Sequence, residues 1–201
     1  MMRRVLVVSL ALAVTTTGVV GCSSGTGGTA LPTTGAPTTS VPSRSGTPSL
    51  APKVADPLDA SKVVAAPCLS LTTSNVVSID VTNPISRADT DANGSGCTWS
   101  GESGGGLSVS WVTTNTNGLS DLYVKQSTYA YWQPTTIAGY PAVYGDALSD
   151  GRSQGDCVLN VGVSDHLAFF VQYTNSTKAP ESCSLAGQAA SDVIANVKGG
   201  A

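Results

Sequence analysis

Hydrophobic and polar residues alternate strictly through Leu107-Ser108-Val109-Ser110-Trp111, which puts Leu107, Val109 and Trp111 on one face of a strand. Cys97-Thr98-Trp99 opens a strand ahead of it, and the glycine-rich turn Gly101 to Gly106 joins the two into a hairpin with a long connection. Thr135-Thr136-Ile137 and Ala142-Val143-Tyr144 flank Ala138-Gly139-Tyr140-Pro141 as a second strand-turn-strand. Cys157 to Val163 and Leu167 to Tyr173 form a third pair, joined at Ser164-Asp165-His166. Helical spacing occupies three places. Thr72 or Thr73 can cap a short helix carrying Val76, Val77 and Ile79. Leu119, Leu122, Tyr123 and Gln126 mark a second within Gly118 to Tyr129. Ala186, Ala189, Ala190, Val193, Ile194 and Val197 line one stripe of a final helix from Ser182 to Lys198, with Gly199 as its stop. Asp56-Pro57 to Pro67 reads as an extended lead-in, since proline bars helix at both ends. Ser86 to Gly96 is polar and loop-like. This order predicts an α+β domain over 56–201, an antiparallel β-sheet with helices packed on one face and a C-terminal helix.

The first 55 residues follow other rules. Arg3 and Arg4 precede an apolar run from Val5 to Val14, too short to span a bilayer and remain there. Val19-Val20-Gly21-Cys22 then resembles a bacterial lipobox, in which the cysteine thiol receives a diacylglycerol and the preceding peptide is removed. That resemblance implies a lipoprotein signal peptide over 1–21 and a lipid, palmitate-bearing, on Cys22. From 22 to 55 Ser, Thr, Pro and Gly dominate, and such a segment cannot bury enough apolar surface to offset its ordering entropy. It reads as a disordered tether whose span is on the order of 30–35 Å. Its Thr/Pro richness suits O-linked sugars.

Cysteine number agrees with this division. The chain has five, Cys22, Cys68, Cys97, Cys157 and Cys183, an odd count for an exported protein. With Cys22 spent on lipid, four remain for two bridges in an oxidising compartment. Three connectivities are possible. Sequential pairing, Cys68 with Cys97 and Cys157 with Cys183, is favoured because each pair brackets a local unit. Charged residues make up only 11% of the chain, and removal of Arg3 and Arg4 leaves eight basic against thirteen acidic residues. That balance argues against nucleic acid and leaves no basic patch for anionic headgroups. Membrane attachment would come from the acyl groups on Cys22.

Pro67-Cys68, the Leu-Thr helix start after it, Cys97-Thr98-Trp99, Ile137-Ala138-Gly139-Tyr140-Pro141-Ala142, the Cys157 strand and Cys183 opening an Ala-rich helix together resemble one family. It is the group of actinobacterial cell-envelope lipoproteins catalogued as a domain of unknown function, which includes the mycobacterial LprB and LprC. The resemblance covers residues 56 to 198 and departs at the first helix, where Ser70-Leu71 stands for the usual Leu-Leu and Ser78-Ile79 for Leu-Gly. It implies an envelope lipoprotein and supplies no catalytic residue.

Several constellations could carry chemistry. Gly101-Glu102-Ser103-Gly104-Gly105 satisfies the Gly-x-Ser-x-Gly pattern, but a hydrolase needs a strand, a strained turn and a helix there, and its base could only be the single imidazole, His166. Asp89-x-Asp91-x-Asn93-Gly94 copies half of a calcium loop, yet Ser100 stands where a bidentate Glu belongs. Asp146, Asp150 and Asp156 punctuate one glycine-rich loop and read best as solvated carboxylates. Tyr123, Tyr129, Tyr131, Trp132, Tyr140 and Tyr144 hold more than half of the chain's aromatic residues, flat surfaces with polar edges suited to sugars, apolar ligands or protein partners. No cofactor or metal motif stands out.

The sequence therefore points to a non-enzymatic binding domain, lipid-anchored on the extracytoplasmic face of the cell membrane, that meets an envelope protein or a small ligand. The competing reading is an envelope hydrolase acting through Ser103 or the loop aspartates. Cys22→Ala is expected to move the protein from the membrane to the soluble fraction on cell fractionation; a variant that stays with the membrane would overturn the lipid anchor.

Overall fold

Seven strands make one sheet in the order β1-β2-β3-β7-β6-β5-β4, antiparallel at every junction. In chain order they are β1 (Ile85–Thr90), β2 (Gly94–Ser100), β3 (Gly106–Val112), β4 (Tyr131–Ile137), β5 (Tyr140–Asp146), β6 (Asp156–Ser164) and β7 (Leu167–Thr174). The structure is a computed structural model and describes residues 51–102 and 104–200; Cys22, the signal segment, the tether up to residue 50 and Ser103 lie outside the described residues. Two meanders, β1 to β3 and β4 to β7, join where β3 pairs with β7 from Gly106↔Thr174 to Val112↔Ala168.

Alternation decides which face is covered. Leu107, Val109 and Trp111 of β3, Leu159, Val161 and Val163 of β6, and Phe169, Val171 and Tyr173 of β7 all point to one side and are buried. Over them lie α1 (Ser61–Ala65), α2 (Thr73–Ser78) and the long α4 (Ser182–Lys198). Ala186, Ala189 and Ala190 put the small-residue side of α4 against the strands. Trp111 and Phe169 meet at 4.9 Å between ring centroids beneath these helices.

Two disulfides staple the helical layer to the sheet. Cys68–Cys97 ties the short 3-10 turn Pro67–Ser70 to β2, and Cys157–Cys183 ties β6 to the first turn of α4. This is the sequential pairing. Sequence separations of 29 and 26 residues give each bridge a stabilisation of about 3–4 kcal/mol on the chain-entropy account.

Most predicted elements are found, with four differences. The lead-in between Asp56 and Pro67 is not wholly extended: its proline-free centre folds as α1, held by the fully buried Val63 and started by Asp59, which accepts from the Ser61 amide at 3.0 Å. Ser86 to Gly96 is not a loop but the edge strand β1, a two-residue turn and the start of β2. All six β1 residues are exposed, so it has no buried face to print an alternating pattern. The helix expected over Gly118 to Tyr129 is a single turn, α3 (Ser120–Tyr123), followed by a 3-10 turn at Gln126–Thr128, where the Thr128 hydroxyl donates to the Lys125 carbonyl at 2.8 Å. Finally, α3 sits on the sheet face opposite the other helices, because Leu119 and Leu122 pack on Val143, whose side chain points away from those of Ala142 and Tyr144.

The α2 start follows the expected chemistry. Thr72 caps it, its Oγ1 accepting from the Asn75 amide at 3.2 Å while Asn75 Oδ1 accepts from the Thr72 amide at 3.0 Å. The β4–β5 turn is Ala138-Gly139 with φ of 48° and 89°, the pair of positive values that a two-residue hairpin needs.

Ser70 is fully buried and accepts a hydrogen bond from Trp111 Nε1 at 3.0 Å. Its carbonyl accepts from Asn196 Nδ2 at 3.0 Å, so one serine links β3, the 3-10 turn and α4. Ser70→Ala leaves a buried indole N–H unpaired and is expected to cost about 1–3 kcal/mol, read as a lower denaturant midpoint at unchanged slope. A midpoint equal to the wild type would remove this bond from the account of the core.

Candidate binding groove

The uncovered positions of the central strands form the floor of the site. Val112, Val158, Asn160, Phe170 and Gln172 share the face turned away from α4. The connection from β3 in the middle of the sheet to β4 at its edge, residues 113–130, runs over this face and supplies one wall through Asp121, Leu122, Lys125 and Tyr129. Gly145, Asp146, Ala147 and Leu148 supply the other, and together they enclose a groove of about 470 Å³. A side chain at Gly145 would crowd this wall, because its Cβ would lie 3.2 Å from Tyr129 Cδ1 and 3.1 Å from the Tyr131 carbonyl, so these neighbours would have to give by a few tenths of an ångström.

Floor chemistry follows from the register. Asn160 lies opposite Phe170 and Val158 opposite Gln172, so amides and apolar side chains occupy alternate corners of a two-by-two patch. Both amide groups are oriented by protein acceptors. Asn160, only 8% exposed, donates through Nδ2 to the Gly145 carbonyl at 3.0 Å and to that of Val143 at 3.5 Å. Gln172 donates through Nε2 to the Asp156 carboxylate oxygens at 3.1 and 3.2 Å. With their nitrogens committed, Asn160 Oδ1 and Gln172 Oε1 are left as acceptors in the lining of the groove. The walls add the carboxylates of Asp121 and Asp146 against the ammonium of Lys125. Burial, then the charge of Asp146, pushes the Tyr129 phenol up from its ordinary range, so it remains a neutral donor and acceptor at neutral pH.

The six aromatics singled out from the sequence do not form one surface. Tyr123, Trp132 and Tyr129 make an edge-to-face trio, with Trp132 at 5.0 Å from each tyrosine, and of these Tyr129 lines the groove. Strand alternation sends Tyr131 to the other side of β4 from Trp132. There the Arg152 guanidinium lies 4.2 Å above its ring and its hydroxyl accepts from the Val158 amide at 3.0 Å. Tyr140 and Tyr144 are in or against the core, donating to the carbonyls of Asp56 at 2.9 Å and Cys183 at 3.0 Å.

The remaining candidates are each engaged by groups of the protein itself. Asp146 accepts from the Leu148 amide at 2.7 Å, Asp150 makes a two-pronged pair with Arg152 at 2.7 Å on each oxygen, and Asp156 holds Gln172. Asp91 of the calcium-like stretch serves the β1–β2 turn: its Oδ1 accepts from the amides of Asn93 at 2.7 Å and Gly94 at 3.2 Å, and these bonds hold its carboxyl below the ordinary range. Asp89 lies across Gly96, and Cys97 is in its disulfide. Among the described residues no three His, Cys, Asp or Glu side chains gather to hold a metal ion.

Ser103 of the hydrolase pattern lies outside the described residues. Its neighbours Glu102 and Gly104 lie between two strands, β2 and β3, and not between a strand and a helix. They adjoin the Gly106↔Thr174 end of the β3–β7 pair, whereas His166 precedes the Val112↔Ala168 end, about 20 Å away along the strands. His166 Nδ1 faces the Thr116 carbonyl at 2.9 Å.

Sequence reasoning missed Asn160, Phe170 and Gln172. A signal existed in Phe169-Phe170: two adjacent large apolar residues in a strand cannot share a face, so one of them had to lie on the side away from the core.

Among the described residues no helix is long and apolar enough to cross a membrane. Comparison with curated proteins and with solved structures gave no match. A family model, in contrast, matches residues 17–196, nearly the whole chain. The chain thus belongs to the family described as protein of unknown function DUF3558.

Proposed function

We propose that this protein is a lipid-anchored binding protein of the extracytoplasmic membrane face, one of the actinobacterial envelope lipoproteins that the sequence resembles. Its groove takes a small polyhydroxylated ligand with one apolar side. The observation that carries the ligand class is the pair of oriented amides: Asn160 and Gln172 offer two carbonyl acceptors beside the partly exposed Val158 and Phe170. A sugar or sugar alcohol presents hydroxyl donors along one edge and C–H groups on a face, which matches acceptors alternating with apolar contacts. The locked amide nitrogens keep the acceptors in place without ligand, so little ordering entropy is lost on binding. The acidic carboxylates of Asp121 and Asp146 extend the same preference for donors along the walls. This reading assigns recognition to the groove.

Titration of the full-length protein with a panel of methyl glycosides and sugar alcohols, followed by calorimetry or amide chemical shifts, tests the proposal. At least one compound should bind saturably and shift signals from Asn160, Phe170 and Gln172. Gln172→Met keeps the side-chain length but removes the acceptor, and should weaken that ligand roughly tenfold. Gln188→Met, on the exposed side of α4 at the opposite face, should leave it unchanged. No saturable binding across the panel, or binding indifferent to Gln172→Met, would sink the ligand assignment.

A further inference from the structure

The sheet has two edges, and they differ in how they are protected. At one, β4 carries Pro134 in mid-strand, which removes an N–H and discourages further pairing. At the other, β1 has six residues, all exposed, with no proline, no lysine and no bulge. Ile85 at its start is 74% exposed. An edge of this kind is a template for another strand.

Its hydrogen-bonding direction can be read from the turn. The Asp91 amide donates to the Gly94 carbonyl at 3.0 Å, so this pair closes the β1–β2 hairpin. By antiparallel alternation, Asp89, Arg87 and Ile85 direct their backbone groups toward Gly96, Thr98 and Ser100 of β2. Ser86, Ala88 and Thr90 therefore turn their N–H and C=O groups outward from the sheet.

We infer that β1 pairs with β1 of a second copy of this chain, antiparallel about a two-fold axis at Ala88. In that register Ala88 faces Ala88 and Ser86 faces Thr90, so all three outward-directed residues find partners. The flanking positions then place Arg87 of each copy directly opposite Asp89 of the other, twice, on the side of the sheet that carries the groove. Moving the strands one hydrogen-bonded step either way sets Arg87 against Arg87 or Asp89 against Asp89. Charge thus selects one register for a self-pairing. Arg87 has no carboxylate partner among the described residues, and Asp89 has no cation. Exposed ion pairs contribute little energy each; their part here is to specify register, while the backbone bonds supply the contact. The result is one continuous sheet through two copies, with both grooves on the same side.

The test uses the full mature chain and follows amide exchange of Ser86, Ala88 and Thr90 against protein concentration, with sedimentation mass in parallel. Protection at these three amides should rise together with the dimer mass. Arg87→Asp alone and Asp89→Arg alone should each be monomeric, because each sets like charges opposite one another. Mixing the two variants should restore dimer, since every facing pair then becomes Asp with Arg, and the double variant should dimerise by itself. A monomer whose β1 amides are protected at every concentration would show that a segment of the same chain covers the edge, and would overturn the inference. Dimerisation unaffected by either charge reversal, or failure of the mixture to reassociate, would do the same.

Discussion

A sheet whose central strands are greasy on one side needs a cover, and here a single layer of helices provides it. Leu107, Val109 and Trp111, with their counterparts on β6 and β7, are dry only while α4 and the short N-terminal helices stay in place. That layer has modest means of its own. α1 and α2 span five and six residues, too short to be stable in isolation. Cys68–Cys97 and Cys157–Cys183 hold its two ends against the strands, and Ser70 holds its middle through Trp111. The bridges are therefore conditions of the cover rather than additions to it.

With all the long cover on one side, the reverse of the sheet is left to what the β3–β4 connection can reach. That connection must travel from the centre of the sheet to its edge. It crosses the open side as one helical turn and a 3-10 turn, touching down at Leu119 and Leu122 on Val143. The groove is the space it does not fill. Its existence follows from topology, in that β4 pairs at the far edge instead of beside β3.

How much of this was legible depends on whether a residue's neighbours in sequence determine its surroundings. The strict alternation of Leu107 to Trp111 and the alanine stripe of α4 state their own burial, and both elements are where the pattern puts them. The sulfur pairing was legible because each bracket is local. β1 was illegible for the opposite reason: an edge strand wet on both faces carries no periodicity, and Arg87 and Asp89 look like loop residues. α1 depends on Val63 reaching a core assembled much later in the chain. The aromatic run does not state a surface, because adjacency in sequence is not adjacency in space: Tyr131 and Trp132 lie on opposite sides of a strand. The groove was the least legible part, since Asn160 and Gln172 become neighbours only through the β6–β7 register, and their amides are oriented by partners as distant as Gly145.

Along β6 and β7, odd and even positions answer to different demands. Leu159, Val161, Phe169 and Val171 meet the helices, while Val158, Asn160, Phe170 and Gln172 line the groove on the other side. The second set does not pack on those helices, although Asn160 is itself buried and tied to the carbonyls of Val143 and Gly145. Rewriting every other letter of these two strands would thus change the open side while leaving the letters that meet the helices as they are.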